Sequence, residues 1–221
     1  MGPTGAGDAT KTRIAPELIF SSALDEVWKT TPELTYHHMN LHLTAHLNMD
    51  LPQISSRLSS SPTAFPNCCL ALSSPLISRL ASLLPTTPHF TLSIGSGAGL
   101  LEALLAYRHP NVLIKGVEVN SSVNLYIAEQ DMYVVSGTWD LLPRASDAIA
   151  WMFVYPREPK LVTKYIESYG LRTKLILWLG PRADWADYEA CFRDSAFSQL
   201  SFEDVGLAEY EMLVVASKRC P

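Results

Sequence analysis

The densest concentration of chemistry-bearing residues lies between Phe90 and Val119. An apolar run, Phe90 to Ile94, leads directly into Gly95, Gly97 and Gly99, and an apolar stretch of helical spacing begins at Leu100. Glycines in such a turn let the chain reverse tightly and leave no Cβ where a ligand must approach. The helix that follows offers free N–H groups and the positive end of its dipole. The next apolar run ends in Gly116-Val117-Glu118-Val119. In an open parallel sheet the carboxyl ends of adjacent strands share one crevice. Glu118 is therefore placed to accept hydrogen bonds from both hydroxyls of a ribose. The plain alternative is a ligand-free turn with a solvated Glu118.

Two further groups could do chemistry. His38, His42 and His46 follow at i, i+4 and i+8 along the flank of an apolar stripe formed by Tyr36, Met39, Leu43 and Leu47. An imidazole at that border can serve as a general base, because its unperturbed pKa of about 6.5 lies near working pH. The row reads equally well as a helix flank with no chemical role. Histidines at i, i+4 can also share zinc, but no H-E-x-x-H accompanies them and no metal is expected. Tyr155, at the end of an apolar run and before Pro156-Arg157, could line a substrate pocket or donate a hydrogen bond. A proline-stiffened turn with a surface arginine is the bland reading.

These groups need elements to position them. Periodicity and breakers predict helices over Pro16–Lys29, from Thr31-Pro32-Glu33 to about Asn48 (stopping before Leu51-Pro52), and from Ser74-Pro75 to Leu84. Ser55–Pro66 reads as a serine-rich surface connection. Strands are predicted at Phe90–Ile94, Val112–Val119, Tyr133–Ser136, Ala148–Val154 and Lys174–Leu179, with a closing pair at Ser198–Phe202 and Glu211–Ala216. Helices Leu100–Tyr107, Ser122–Glu129, Pro159–Tyr169 and Trp185–Asp194 alternate with them, and Gly170 is placed as a left-handed helix terminator. This alternation is the signature of an α/β fold. Residues 1–13 are expected to be a disordered tail, 14–88 a helical extension acting as lid and substrate wall, and 89–221 the α/β core.

The NAD fingerprint G-x-G-x-x-G needs a glycine where Leu100 stands. The segment instead resembles motif I of the class I S-adenosylmethionine (SAM)-dependent methyltransferases, acid-x-Gly-x-Gly-x-Gly, with Ser93 standing where the acid usually opens it. The resemblance runs from roughly Thr86 to the end. It implies a Rossmann-like, mostly parallel seven-stranded sheet with an antiparallel closing strand, and SAM as cofactor. Gly95, Gly97 and Gly99 would surround the amino-acid part of SAM, Glu118 would hold the ribose, and Val119 would lie beside the adenine. The loop Ser136–Asp140 would wrap the adenine edge. There Thr138 stands where the family often has an acid, Asp140 is a nearby substitute, and Trp139 could cover the adenine face. The reacting methyl would point toward the end of the fourth strand and Tyr155, with a small, largely apolar or aromatic molecule as acceptor. Two alternatives stay open: a methyltransferase-fold cyclase or pericyclase of secondary metabolism that transfers no methyl group, and a non-catalytic partner subunit.

Composition bounds the rest. Of 221 residues, 48% are hydrophobic, enough for a sizeable core. The 17 Lys and Arg against 22 Asp and Glu give a net charge of −5, which argues against nucleic-acid and anionic-membrane partners. Cys68, Cys69, Cys191 and Cys220 form no C-x-x-C pair, so neither a disulfide scaffold nor a zinc ribbon is expected. No apolar run approaches the roughly 20 residues of a membrane span, and Met1–Lys11 lacks the apolar core of a secretory signal. A soluble, cytoplasmic protein is expected, with oligomerisation through the N-terminal helices left open. No G-x-S-x-G or phosphate-loop lysine motif supports serine hydrolysis or phosphoryl transfer.

Overall fold

Leucine-rich and β-branched runs flanked by prolines and asparagines build alternating helices and strands over the residues described by the structure, a computed structural model covering residues 50–219. Both helices predicted before Asp50 lie outside these residues, and His38, His42 and His46 with them. The unit Asp50–Pro221 opens with α1 (Leu51–Arg57) and α2 (Ser74–Leu83). Then come β1 (Thr91–Ile94), α3 (Leu100–Arg108), β2 (Ile114–Glu118), β3 (Met132–Val134) and β4 (Ala150–Val154). The chain continues through α4 (Pro159–Tyr169), β5 (Leu175–Pro181), α5 (Trp185–Arg193), β6 (Gln199–Glu203) and β7 (Glu211–Ser217).

The strands form one seven-stranded sheet in the order β3-β2-β1-β4-β5-β7-β6. Strands β1 to β5 are parallel, and β7 runs antiparallel to both β5 and β6. This is the Rossmann-like architecture, with antiparallel closure, that the resemblance implies. Every residue of β1 is buried, as a central parallel strand covered on both faces must be. Its register pairs Ile94 with Val117 and with Phe153, so β1, β2 and β4 end together at one edge. The antiparallel β7 starts at that same edge, where Glu211 pairs with Pro181. Helices α1 and α2 pack on α3, while α4 packs on α5. Leu92, Ile94, Trp151, Phe153, Ile176 and Trp178 share a core with Tyr165 of α4 and with Trp185, Tyr188 and Phe192 of α5.

Three local readings are corrected. Helix α1 forms inside the segment read as a break and loop, because Asp50 caps it by accepting from the Gln53 N–H at 2.9 Å. Pro52 sits in its first turn, where a missing N–H costs nothing. The helix read at Ser122–Glu129 does not form; only short 3₁₀ turns at Ser121–Val123 and Glu129–Asp131 do. Asparagine side chains take the backbone there: Asn120 accepts from the Ser122 N–H at 2.9 Å. Asn124 accepts from the Ile127 N–H at 3.0 Å and donates to its carbonyl at 2.7 Å. Gly170 ends α4 in the right-handed region (φ −67°), not the left-handed one. A Cβ there would stand 2.5 Å from the Ile166 carbonyl oxygen.

Candidate functional site

The chain leaves β1 through three left-handed glycines, Gly95 (φ 75°), Gly97 (φ 57°) and Gly99 (φ 77°). They do two different jobs. A Cβ on Gly95 or Gly97 would meet nothing within 4 Å, so the turn is open above both. A Cβ on Gly99 would lie 2.5 Å from Ile127 Cγ1 and 3.0 Å from Asn124 Oδ1. Gly99 thus admits the chain after β2, whose Leu125 and Tyr126 N–H groups both donate to the Ala98 carbonyl, at 3.0 and 3.1 Å. Gly99 is also the N-cap of α3, with no side-chain cap hydrogen bond.

Glu118 closes the rim. Its Oε1 accepts from the Gly97 N–H at 2.6 Å and its Oε2 from the Val119 N–H at 3.2 Å. A carboxylate offers about four acceptor positions, so two remain for a ligand. Beneath the turn, the Ser93 hydroxyl donates to Glu102 Oε1 at 2.5 Å, and both residues are buried. Burial pushes the Glu102 carboxyl up to about 7; the Ser93 hydrogen bond opposes that rise and the Glu118 charge adds to it. The first turn of α3 thus brings a carboxylate against Ser93. Sequence reading missed this role of Glu102, although an acid within that apolar helix start was a visible signal.

On the other side of Glu118, its carbonyl accepts from the Val135 N–H at 3.0 Å, tying the loop after β3 to the end of β2. Within that loop the Asp140 N–H donates to the Gly137 carbonyl at 3.0 Å. Thr138, Trp139 and Asp140 are exposed, as is Val119. Trp139 is 45% exposed, with the Lys164 ammonium 5.2 Å from its ring centre, so it is no core tryptophan.

Tyr155 follows β4 in a left-handed conformation (φ 48°), a strained geometry for a residue with a large side chain. Its N–H donates to the Leu179 carbonyl at 2.7 Å, and its hydroxyl donates to Glu211 Oε1 at 2.7 Å. Glu211 is fully buried and also accepts from the Ala71 N–H at 3.1 Å and the Ala208 N–H at 3.2 Å. Burial, together with the Glu211 hydrogen bond and charge, holds the Tyr155 phenol well above its ordinary range. Tyr155 is therefore a fixed donor rather than a base. Cys68, on the same covering segment as Ala71, is pushed up to about 12 by burial, with Glu102 adding to the rise. The clamp role of Glu211 was also missed; its signal was an acid opening an otherwise apolar strand.

No family model matches the sequence, and no curated protein is similar to it. Solved structures with a similar arrangement include several methyltransferases. The methyltransferase domain of bacterial CtHen1 is 14% identical, covering 64% of this chain and 95% of that one, with a TM-score of 0.49. Human methyltransferase 10 domain containing protein is 15% identical over 67% of this chain and 85% of its own, with a TM-score of 0.47. Human N-acetylserotonin methyltransferase, solved in complex with SAM, is 15% identical over 59% and 48%, with a TM-score of 0.43. The strand order, with β7 antiparallel between β5 and β6, decides the architecture. The fold is that of the class I methyltransferases. In this methyltransferase fold the glycine turn, Glu118 and Tyr155 stand along one sheet edge. Among the described residues no group of three or more His, Cys, Asp or Glu is placed to hold a metal ion. No helix among them is long and apolar enough to cross a membrane.

Proposed function

We propose that the protein is a SAM-dependent methyltransferase acting on a small, largely apolar or aromatic molecule. The observation that carries this reading is the open space above Gly95 and Gly97, with the Glu118 carboxylate at its rim. The residues present fit SAM. Glu118 keeps two acceptor positions for ribose hydroxyls while it holds the glycine turn through the Gly97 N–H. Val119, Thr138, Trp139 and Asp140 are exposed beside that rim, where an adenine would need an apolar face and a polar edge. Ser93 and Glu102 supply negative potential below the turn for the amino group, replacing the acid that motif I usually carries on the strand.

When bound, SAM supplies an already electrophilic methyl group, so the protein's task is mainly alignment of the acceptor. The Tyr155 hydroxyl, locked to Glu211, fixes the ring at the end of β4 as a wall for that acceptor. Where the acceptor must lose a proton, His38, His42 and His46 are the proposed bases. The test is turnover: purified protein incubated with SAM and a panel of small aromatic acceptors should release S-adenosylhomocysteine, and Glu118→Ala should lower that release at limiting SAM. A panel that yields none would count against methyl transfer.

A second reading is favoured by Ser93, which puts no charge on β1 itself. A cyclase of this fold would convert a polyene substrate with no S-adenosylhomocysteine formed, so the same assay separates the two.

A further inference from the structure

Glu102 sits in the first turn of α3 with 3% of its surface exposed, and it forms no ion pair among the described residues. Its hydrogen-bond donors are uncharged: the Ser93 hydroxyl at 2.5 Å and its own N–H. A carboxyl buried without a cation takes up a proton, because charge in a poorly solvated site is costly. Burial pushes Glu102 up to about 7, so at pH 6.5 the protein on its own carries that proton in most molecules.

The surroundings of Glu102 hold few other charges. Ser93 faces it from β1 and Glu118 acts on it from β2. Cys68, on the segment ahead of α2, feels the Glu102 charge, but burial pushes its thiol up to about 12 and keeps it protonated throughout this range. Helices α1 and α2 pack on α3 without adding a charged group to the balance at Glu102. The effect of Glu118 shows the electrostatic reach of the crevice. Its carboxylate stands at the rim, accepting from the Gly97 N–H at 2.6 Å, and a negative charge there already makes the Glu102 proton harder to remove. A positive charge bound in the same crevice acts with the opposite sign. No contact between ligand and Glu102 is needed, so burial is no obstacle.

We propose that a cationic nucleoside binding over the glycine turn expels the Glu102 proton to solvent and so generates its own counter-charge beneath the turn. With SAM as that ligand, the inference rests on the reading above. The Glu102 O–H bond breaks, its electron pair stays on the carboxylate, and the buffer takes the proton. A ligand that drives off a proton binds more tightly as pH rises, until the group is ionised beforehand. SAM affinity should therefore climb roughly fivefold to tenfold between pH 5.5 and 7.5 and level off above that.

Calorimetric titration of the full-length protein with SAM at pH 6.5, in phosphate and again in imidazole buffer, tests it, because the two buffers take up a proton with different heats. The wild type should release about half a proton per SAM bound. Glu102→Gln keeps an acceptor for the Ser93 hydroxyl but has no proton to lose. It should release none, and its SAM affinity should stay flat from pH 5.5 to 7.5. 5′-Methylthioadenosine carries the same nucleoside without a charge, so any heat it gives should be the same in both buffers. Equal SAM heats in the two buffers, or release that survives in Glu102→Gln, would overturn the proposal and leave the SAM site standing. No heat from SAM in either buffer would overturn the SAM reading and the proposal with it. Where Glu102→Gln does not fold, the two ligands decide in the wild type: proton release with SAM alone upholds the coupling, and release with both or with neither overturns it.

Discussion

The two halves of the sheet edge are built on opposite plans. On the β1–β2–β3 side the backbone itself shapes the proposed site: left-handed glycines, open space above Gly95 and Gly97, and a chain after β2 that replaces a helix with asparagine-pinned turns. On the β4–β5–β7 side, side chains fill the space, with Trp178, Trp185 and Tyr188 packed together and Glu211 binding three donors. On the proposed reading the first half receives a ligand's polar atoms and the second stays rigid beside it. Substitutions on the glycine side should therefore change binding more than stability, and those on the aromatic side the reverse.

The largest effect expected is at Glu211. Glu211→Ala would strand the Tyr155 hydroxyl and the Ala71 and Ala208 N–H groups in the interior, a loss of about 3–5 kcal/mol in a denaturant titration. A loss below about 1 kcal/mol would show that the clamp is idle.

Glu102 should come next, through pH. Burial pushes its folded carboxyl up to about 7 from an ordinary glutamate value near 4.5, so the folded state holds its proton longer than the unfolded chain does. The stability this gives is fully present below about pH 4.5 and is lost as pH rises through 7, on the order of 3 kcal/mol in all. Glu102→Gln should remove that fall in thermal midpoint between pH 5 and 8, while an unchanged slope would assign the titration elsewhere. A positively charged ligand above the turn would favour the carboxylate, so its affinity should rise over the same interval.

The glycine pair sharpens the contrast further. Gly99→Ala combines a left-handed backbone with the 2.5 Å approach to Ile127 and should cost about 2–3 kcal/mol of stability. Gly97→Ala has the backbone penalty alone, about 1 kcal/mol, yet places a methyl group in the open crevice. It should keep the fold and weaken nucleoside binding at least tenfold by calorimetry; equal stability losses in the two variants would erase the distinction.

Much of this was legible in the chain because the signals are local. The strand runs, the glycine turn and the acid two residues after Gly116 each declare themselves within a few neighbours. Helices α2 and α4 likewise follow from proline starts, and α5 from apolar spacing. What stayed hidden depends on partners far along the chain: Glu211 is defined by Ala71, 140 residues away, and by Tyr155, 56 residues away. Glu102 acquires its role only when α3 folds back onto Ser93. The misread Ser122–Glu129 segment has a different cause, since apolar spacing there competes with asparagine side chains that bond the backbone directly.

The central claim is that the glycine turn and Glu118 form a nucleoside site. Calorimetric titration of the full-length protein with S-adenosylhomocysteine, beside Glu118→Ala, tests it most directly. The account predicts a single saturable site in the wild type and an affinity lower by at least about tenfold in the variant, as the loss of hydrogen bonds to a charged acceptor requires. Absence of heat in the wild type, or equal affinities in the two proteins, would contradict it.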